Sequence, residues 1–373
     1  MSTFLTGTLV KGARQAGKTH LIRRVLKEEG CDVFEVNLIE TPEAVSILQQ
    51  AGTVDELMIG LSALGGQRLQ KGKTVIFIDE IQKYKEMVTK IKFLVDDGSF
   101  RYVLSGSLQG VELTNIESAP IGYLSSIEMF PLDFEEFLQI TDVSDEVIDS
   151  LRRLFETRSA VLDAVNDKML NLFRRYLVVG GMPEAVSVFA DTKNVKDVIT
   201  THQDIKVLYK LDFTQYESDD KKLMISSAYG LIPSELLKQN RRFIVTDLKN
   251  GLHFDRVEST FLWLYNAGGI YENAVAQQLK ASGFEIYYYN SNRLGELDFV
   301  IDYSGSSTPI EVKSGKDYDK HSALNNCLQN TEYEMKEGFV LADCNIHAKG
   351  KVTYLPIYMI MFIKNDSEDY YLN

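Results

Sequence analysis

The feature that most constrains this chain is an octapeptide near its N-terminus, Gly12-Ala13-Arg14-Gln15-Ala16-Gly17-Lys18-Thr19. It fits the P-loop pattern completely, with two glycines separated by four residues and then Lys and Thr. A short apolar run, Leu9-Val10, precedes it, and a helical pattern extends from Lys18 to about Glu29. A strand, a Gly-rich turn and a helix in this order form a phosphate cradle, because backbone N–H groups and the positive helix end face the anion.

Within this loop two side chains have specific expected roles. Lys18 is predicted to reach the β- and γ-phosphates of a nucleoside triphosphate, and the Thr19 hydroxyl to ligate Mg²⁺. All eight residues, 12–19, are therefore candidate nucleotide contacts. The cofactors that this chemistry implies are ATP and Mg²⁺.

A second element about sixty residues later strengthens the prediction. The apolar run Val75-Ile76-Phe77-Ile78 is typical of a strand buried on both faces, and it ends in Asp79-Glu80. An acidic pair behind a buried strand is the Walker B arrangement. Asp79 is predicted to hold Mg²⁺, and Glu80 to polarise the attacking water.

A further strand pattern, Arg101–Leu104, ends in Ser105-Gly106-Ser107. Two interpretations of Ser107 stay open. It either lies near the γ-phosphate and senses it, or it belongs to a serine-rich loop without a role in binding. No arginine finger is assigned, and a second copy of the chain is one source of such a residue.

Composition limits the remaining classes of protein. The chain has 373 residues, too many for one hydrophobic core, and no apolar stretch long enough to span a membrane. Three dispersed cysteines fit neither a disulfide framework nor a zinc site, so we expect a reducing cytoplasm. The net charge of −13 argues against general adhesion to nucleic acid, although residues 221–270 are locally basic.

The pattern along the chain divides it into four parts. Residues 1–140 alternate strand and helix signals, which predicts a parallel α/β sheet. Residues 141–220 are mostly helical, and residues 221–269 suggest three short helices. Residues 270–373 begin with a helix and continue with strands near Glu285–Tyr289, Leu297–Asp302 and Ile310–Lys313.

Several segments, in order along most of the chain, resemble those of bacterial and archaeal AAA-type ATPases whose C-terminal part is similar to a PD-(D/E)XK nuclease. These segments are 12–19, Phe-Ile-Asp-Glu-Ile-Gln at 77–82, Leu-Ser-Gly-Ser at 104–107, 130–137, 176–186, 271–279 and Pro-Ile-Glu-Val-Lys-Ser-Gly at 309–315. The resemblance implies an AAA-like ATPase core in 1–140, a helical lid in 141–220, a winged-helix-like segment in 221–269 and a nuclease-like domain in 270–373.

Three departures from this family affect the expected chemistry. The family often has Gly-Arg where this chain has Gly122-Tyr123, so a basic phosphate contact is not expected there. The P-loop begins at residue 12, which leaves little preceding chain to enclose the base. The winged-helix-like segment joins the C-terminal helix directly near Gly269-Ile270, where the family usually has several tens of residues more.

The C-terminal part contains a second candidate site. Asp298 and the Glu311-Val312-Lys313 tripeptide lie on predicted neighbouring strands, where alternation places Glu311 and Lys313 on one face. Two carboxylates there would share Mg²⁺, with Lys313 near the developing charge and Glu272 as an additional ligand. The resemblance favours this interpretation. The spacing alone favours an ordinary solvated strand pair.

Together these observations favour a Mg²⁺-dependent ATPase whose nucleotide state controls engagement of nucleic acid by the C-terminal parts. Lys238, Arg241 and Arg242 would contact DNA phosphates, or else form an ordinary solvated face. An ATP-dependent scaffold with an inactive nuclease fold is the alternative. A nuclease with a structural P-loop domain is a third hypothesis.

Overall fold

A computed structural model of the chain describes residues 6–66, 69–84, 86–107, 122–214, 270–315 and 317–365, with the single positions 226 and 229. They form two compact units, divided between Pro131 and Leu132. Among the described helices, none combines the length and the apolar character that crossing a bilayer requires. The predicted winged-helix-like segment, with Lys238, Arg241 and Arg242, lies outside the described residues.

The N-terminal unit is built on a five-stranded sheet in which all strands are parallel, as predicted. Its strands and helices follow in the order β1 Gly7–Gly12, α1 Lys18–Glu28, β2 Asp32–Asn37, α2 Pro42–Gln50, α3 Val54–Gly65, β3 Thr74–Asp79, α4 Met87–Asp97, β4 Arg101–Gly106 and β5 Leu124–Met129. A single 3₁₀ turn, Ile81–Lys83, follows β3.

The strand order in this sheet is β2-β3-β4-β1-β5. Strand β4 therefore lies between β1, which leads into the P-loop, and β3, which ends in Asp79. Because parallel strands end at the same edge of a sheet, the carboxyl ends of β1, β3 and β4 meet there. Ile76, Phe77 and Ile78 are fully buried, which fits a strand covered on both faces.

The second unit begins with helices and ends with a mixed sheet. Its helices are α5 Phe134–Ile140, α6 Asp145–Glu156, α7 Asp163–Val179, α8 Pro183–Thr192, α9 Val195–Thr214, α10 Ile270–Ala281 and α11 Ser322–Gln329. Its strands are β6 Tyr287–Ser291, β7 Gly295–Tyr303, β8 Ser306–Lys313, β9 Gly338–Ala342, β10 His347–Lys349 and β11 Val352–Pro356.

The break between α7 and α8 has a clear local cause. Gly180 adopts a positive φ of 71°, and Pro183 occupies the first turn of α8. The carbonyl of Gly181 accepts a 2.8 Å hydrogen bond from the N–H of Leu132. A Cβ at Gly181 would lie 2.1 Å from the Leu132 carbonyl oxygen, so only glycine permits this approach.

The six-stranded sheet has the order β10-β11-β9-β8-β7-β6. Strands β8, β9 and β11 run parallel, while the outer pairings β6–β7, β7–β8 and β10–β11 are antiparallel. The helix α10, three strands, the helix α11 and the parallel strand β9 thus follow one another along the chain.

The helices α5–α8 and the six-stranded sheet share one hydrophobic core. Phe134, Phe173 and Val186 belong to the same buried cluster as Val275, Phe339 and other residues of the sheet region. Asn166 of α7 fixes this packing, because its amide donates to the Cys344 carbonyl at 3.1 Å and accepts from the Tyr358 hydroxyl at 2.9 Å. The predicted boundary between a helical lid and a C-terminal domain stays a prediction.

Candidate nucleotide site and a second acidic site

The P-loop connects β1 to α1 and contains three residues with positive φ. They are Gly12 at 153°, Gln15 at 60° and Gly17 at 93°. At Gly12 a Cβ would lie 2.1 Å from the carbonyl oxygen of Met129 on the neighbouring strand β5. Gly12 is therefore required by the close approach of β5 as well as by its own backbone conformation.

Helix α1 begins without the features that normally neutralise a helix N-terminus. Its N-cap residue is Gly17, no side chain caps it, and its first turn contains no acid. By contrast, α5 has a complete capping box formed by Asp133 and Glu136. The N–H groups at the start of α1 thus keep their capacity to bind an anion.

The Lys18 ammonium lies over the loop. It donates to the carbonyls of Gly12 at 3.1 Å and Ala13 at 2.7 Å, and the side chain is largely buried. Ala16 is fully buried beneath the loop, and Arg14 and Gln15 are half-buried. The buried Gln15 Oε1 has no hydrogen-bond partner. The loop residues predicted from the sequence are therefore gathered around a positive charge.

The carboxylate of Asp79 accepts from four donors in four different segments. Oδ2 accepts from the Thr19 hydroxyl at 2.9 Å and from the Asn37 amide at 3.2 Å. Oδ1 accepts from the Glu80 N–H at 3.0 Å and from the Ser105 hydroxyl. Asp79 is only 2% exposed, so its charge is stabilised by these donors instead of by water.

The two donors Asn37 and Ser105 were not among the predicted site residues. Both lie at strand ends, Asn37 as the last residue of β2 and Ser105 next to the end of β4. Polar residues where buried parallel strands end were the available signal. The predicted Ser107 lies just beyond β4, and its N–H donates to Gln82 Oε1 at 3.3 Å.

Glu80 follows Asp79 in the left-handed region, with φ of 61°. Non-glycine residues rarely adopt this conformation, and when they do they are often at functional sites. The Glu80 carboxylate accepts a hydrogen bond from the Gln82 amide. The second predicted acid of the pair is thus held by a side chain two residues further along.

The second candidate site is formed on β7 and β8, which are adjacent and antiparallel. Phe299 pairs with Ile310, and the same register continued by one residue places Asp298 opposite Glu311. Val312, between Glu311 and Lys313, is buried in the core as alternation predicts. The structure therefore brings together Asp298, Glu311 and Lys313.

The charged side chains of this second site lie close to one another. Lys313 Nζ lies 2.5 Å from Glu311 Oε1, whereas the buried Glu311 Oε2 has no hydrogen-bond partner. Asp298 accepts from the Val312 N–H at 2.8 Å. Burial, and then the negative charge of Glu311, raise the pKa of Asp298 to about 7.

Glu272 lies on α10, which packs against β8, and its charge further raises the pKa of Asp298. Among the described residues, no group of three His, Cys, Asp or Glu side chains has the spacing of a metal site. The assignment of Glu272, Asp298 and Glu311 as metal ligands stays a prediction.

Comparison with known proteins agrees with the geometry of the N-terminal unit. Residues 6–138 match the family model described as an AAA domain. The parallel sheet, the P-loop and the Thr19–Asp79 contact are the features of a nucleotide-binding P-loop domain. The match and this geometry together support an AAA-type ATPase domain in this part of the chain.

The remaining matches describe families without an assigned function. Residues 170–281 match the domain of unknown function DUF8612, and residues 267–360 match the domain of unknown function DUF4143. The uncharacterized protein MJ1544 of Methanocaldococcus jannaschii is 22% identical, over 79% of this chain and 71% of its own length. The nuclease-like prediction for the C-terminal part therefore rests on the sequence motifs.

Proposed function

We propose that this chain binds ATP with Mg²⁺, hydrolyses it, and couples its nucleotide state to engagement of nucleic acid by its C-terminal part. The observation that carries the ATPase proposal is the set of four donors around Asp79. This set joins the P-loop helix, β2, β3 and β4 at one point beside the phosphate cradle. A Gly-rich turn without a ligand would not require these four segments to meet at one carboxylate.

The residues present fit ATP and Mg²⁺. In this proposal the loop N–H groups and Lys18 bind the phosphates, and the ammonium leaves the Gly12 and Ala13 carbonyls to do so. The Thr19 hydroxyl donates a hydrogen bond to Asp79, so the lone pairs of the Thr19 oxygen are left for a metal. Bound Mg²⁺ would neutralise charge that develops on the phosphates. Asp79 would help to hold this Mg²⁺, with Thr19 oriented by its hydrogen bond to the carboxylate.

Hydrolysis needs a group that orients the attacking water. Glu80 is the acid next to the Thr19–Asp79 pair, and it is half-exposed, so water reaches it. Its carboxylate would accept a proton from the water as the bond to the γ-phosphorus forms. The leaving ADP would be stabilised by Lys18 and the loop N–H groups.

The test is Mg²⁺-dependent release of phosphate from ATP. Lys18→Ala should abolish nucleotide binding, and Glu80→Gln should keep binding but lower kcat about 100-fold or more. Lys27→Ala, on an exposed position of the same helix, and Glu86→Gln, in a nearby exposed position, are the matched controls. Unchanged turnover in both site variants would contradict the ATPase proposal.

A second candidate activity is Mg²⁺-dependent cleavage of a phosphodiester by the C-terminal site. It is favoured by the buried, unpartnered Glu311 Oε2 opposite Asp298, since an oxygen in this state lacks a cation or donor. Lys313, only 2.5 Å from the other oxygen of Glu311, would move to the scissile phosphate once a metal takes its place.

The cleavage test uses plasmid and single-stranded DNA with Mg²⁺ or Mn²⁺, without nucleotide and with ATP or ADP. Asp298→Asn and Lys313→Ala should remove cleavage, while the exposed controls Asp302→Asn and Lys349→Ala should retain it. Binding of a short duplex at several salt concentrations tests nucleic-acid engagement. If the protein neither cleaves DNA nor binds it in a salt-dependent way in any nucleotide state, the ATP-dependent scaffold is favoured.

A further inference from the structure

The side chain of Gln82 connects two parts of the nucleotide site. Its Nε2 donates to the carboxylate of Glu80, and its Oε1 accepts from the backbone N–H of Ser107 at 3.3 Å. Gln82 lies in the 3₁₀ turn after β3, and Ser107 directly follows β4. The Gln82 amide thus links Glu80, the acid proposed to orient the water, to the backbone directly after β4.

Only one orientation of this amide satisfies both neighbours. Reversing it would place the Gln82 oxygen against the Glu80 carboxylate and its NH₂ group against the Ser107 N–H. Two acceptors would then face each other at one end and two donors at the other. The partners themselves therefore fix which end of Gln82 faces Glu80.

The adjacent glycine makes room for this side chain. A Cβ on Gly106 would lie 2.7 Å from Gln82 Oε1 and 3.0 Å from Ile81 Cγ1. Gly106 has no positive φ, so its backbone conformation does not require glycine. A Cβ at this position would therefore meet the end of the Gln82 side chain, which must shift to make room.

We infer that Gln82 is a positioning residue for ATP hydrolysis, holding the Glu80 carboxylate in place from the backbone that follows β4. The inference rests on the proposed ATPase function and assigns a role to a residue outside the P-loop and the acidic pair. Gln82 acts through Glu80 and does not contact the nucleotide. Its loss therefore lowers the rate of the chemical step and leaves nucleotide binding unchanged.

The first experiment compares ATP turnover and ADP affinity in the full chain. Gln82→Ala should lower kcat about tenfold, which is what one hydrogen bond to a charged group accounts for. KM for ATP and the Kd for ADP should stay at the wild-type values. Gly106→Ala should give the same split, because its Cβ displaces Gln82 without removing it. Gln50→Ala, at an exposed glutamine of the same unit, is the control.

A second variant separates positioning from general stability. Gln82→Glu keeps the shape of the side chain but places an acceptor against the Glu80 carboxylate, so it should lower kcat at least as much as Gln82→Ala does. Its KM for ATP and its Kd for ADP should stay at the wild-type values.

The outcomes distinguish this inference from the proposed function. Wild-type turnover equal to that of Lys18→Ala would overturn the ATPase proposal and the inference with it. Wild-type turnover well above that background, with Gln82→Ala equal to wild type, would overturn the inference alone. A parallel loss of ADP affinity in Gln82→Ala would also overturn it, since the residue would then shape the binding site itself.

Discussion

The hydroxyl of Thr19 donates a 2.9 Å hydrogen bond to Asp79, a residue sixty positions further along the chain. Thr19 belongs to the first turn of α1, and Asp79 is the last residue of β3. Since the hydroxyl proton is committed to Asp79, the lone pairs of Thr19 face away from it. In the proposed site this contact concerns the metal and not the phosphates, because it involves neither Lys18 nor the loop N–H groups.

Thr19→Ala should therefore weaken nucleotide binding only when Mg²⁺ is present. We expect the Mg²⁺-dependent gain in ATP affinity to fall about tenfold or more, because the proposed metal loses a direct oxygen ligand. Calorimetric titration with ATP in Mg²⁺ and again in EDTA measures this gain. An equal loss of affinity in EDTA would show that Thr19 supports the loop itself.

Gly12→Ala should destabilise the N-terminal unit far more than an ordinary loop glycine would. The added Cβ would lie 2.1 Å from the Met129 carbonyl, so β1 and β5 must separate. We expect a loss above about 3 kcal/mol, the upper range for overpacking. Gly30→Ala is the control, because it has a φ of 63° and open space around it, and should cost about 1 kcal/mol.

Thermal unfolding of wild type and both glycine variants without nucleotide measures these costs. Equal melting temperatures for Gly12→Ala and Gly30→Ala would contradict the steric explanation.

The P-loop and the Walker B strand were predictable because their signals are local. The helix after the loop was expected from Lys18 to about Glu29 and extends from Lys18 to Glu28. The buried run before Asp79 forms a fully buried strand. In each case a few consecutive residues fix both the backbone and the position of the functional group.

The partners of these residues were harder to predict, because they depend on strand order. Asn37 reaches Asp79 because β2 is next to β3, and Ser105 does so because β4 separates β3 from β1. The short-range pattern contains no information on that order. Likewise, the shared core of α5–α8 and the C-terminal sheet depends on contacts such as Asn166 with Cys344, separated by 178 positions.

Asn166→Ala should strongly destabilise the second unit. The substitution leaves the Cys344 carbonyl and the buried Tyr358 hydroxyl without the Asn166 amide. Each buried polar group without a partner costs about 1–3 kcal/mol, so a total of about 2–4 kcal/mol is expected. Asn171→Ala, at an exposed position of the same helix, should cost less than about 1 kcal/mol.

Hydrogen exchange of β9 and α7 is a suitable measurement, because it reports the stability of individual helices and strands within the second unit. Faster exchange in α7 alone, with β9 unaffected, would contradict a core shared by helix and sheet.

Asp298→Asn should stabilise the second unit at pH 8 in EDTA. Burial and the charge of Glu311 raise the pKa of Asp298 from 3.8 to about 7 in the folded state. Between these values the folded chain holds a proton that the unfolded chain releases. Stability therefore falls as the pH rises through this window, and the full penalty, at most about 4 kcal/mol, is present above it.

The substitution removes this penalty while its oxygen keeps the hydrogen bond from the Val312 N–H. Hydrogen exchange of β8 at pH 5 and pH 8 should show a stabilising effect of Asn that is larger at pH 8 than at pH 5. The exposed Asp302→Asn should show no such dependence. Mg²⁺ at pH 8 should stabilise the wild type more than Asp298→Asn, since only the wild type has the second carboxylate. An equal response of both to Mg²⁺ would exclude Asp298 as a metal ligand.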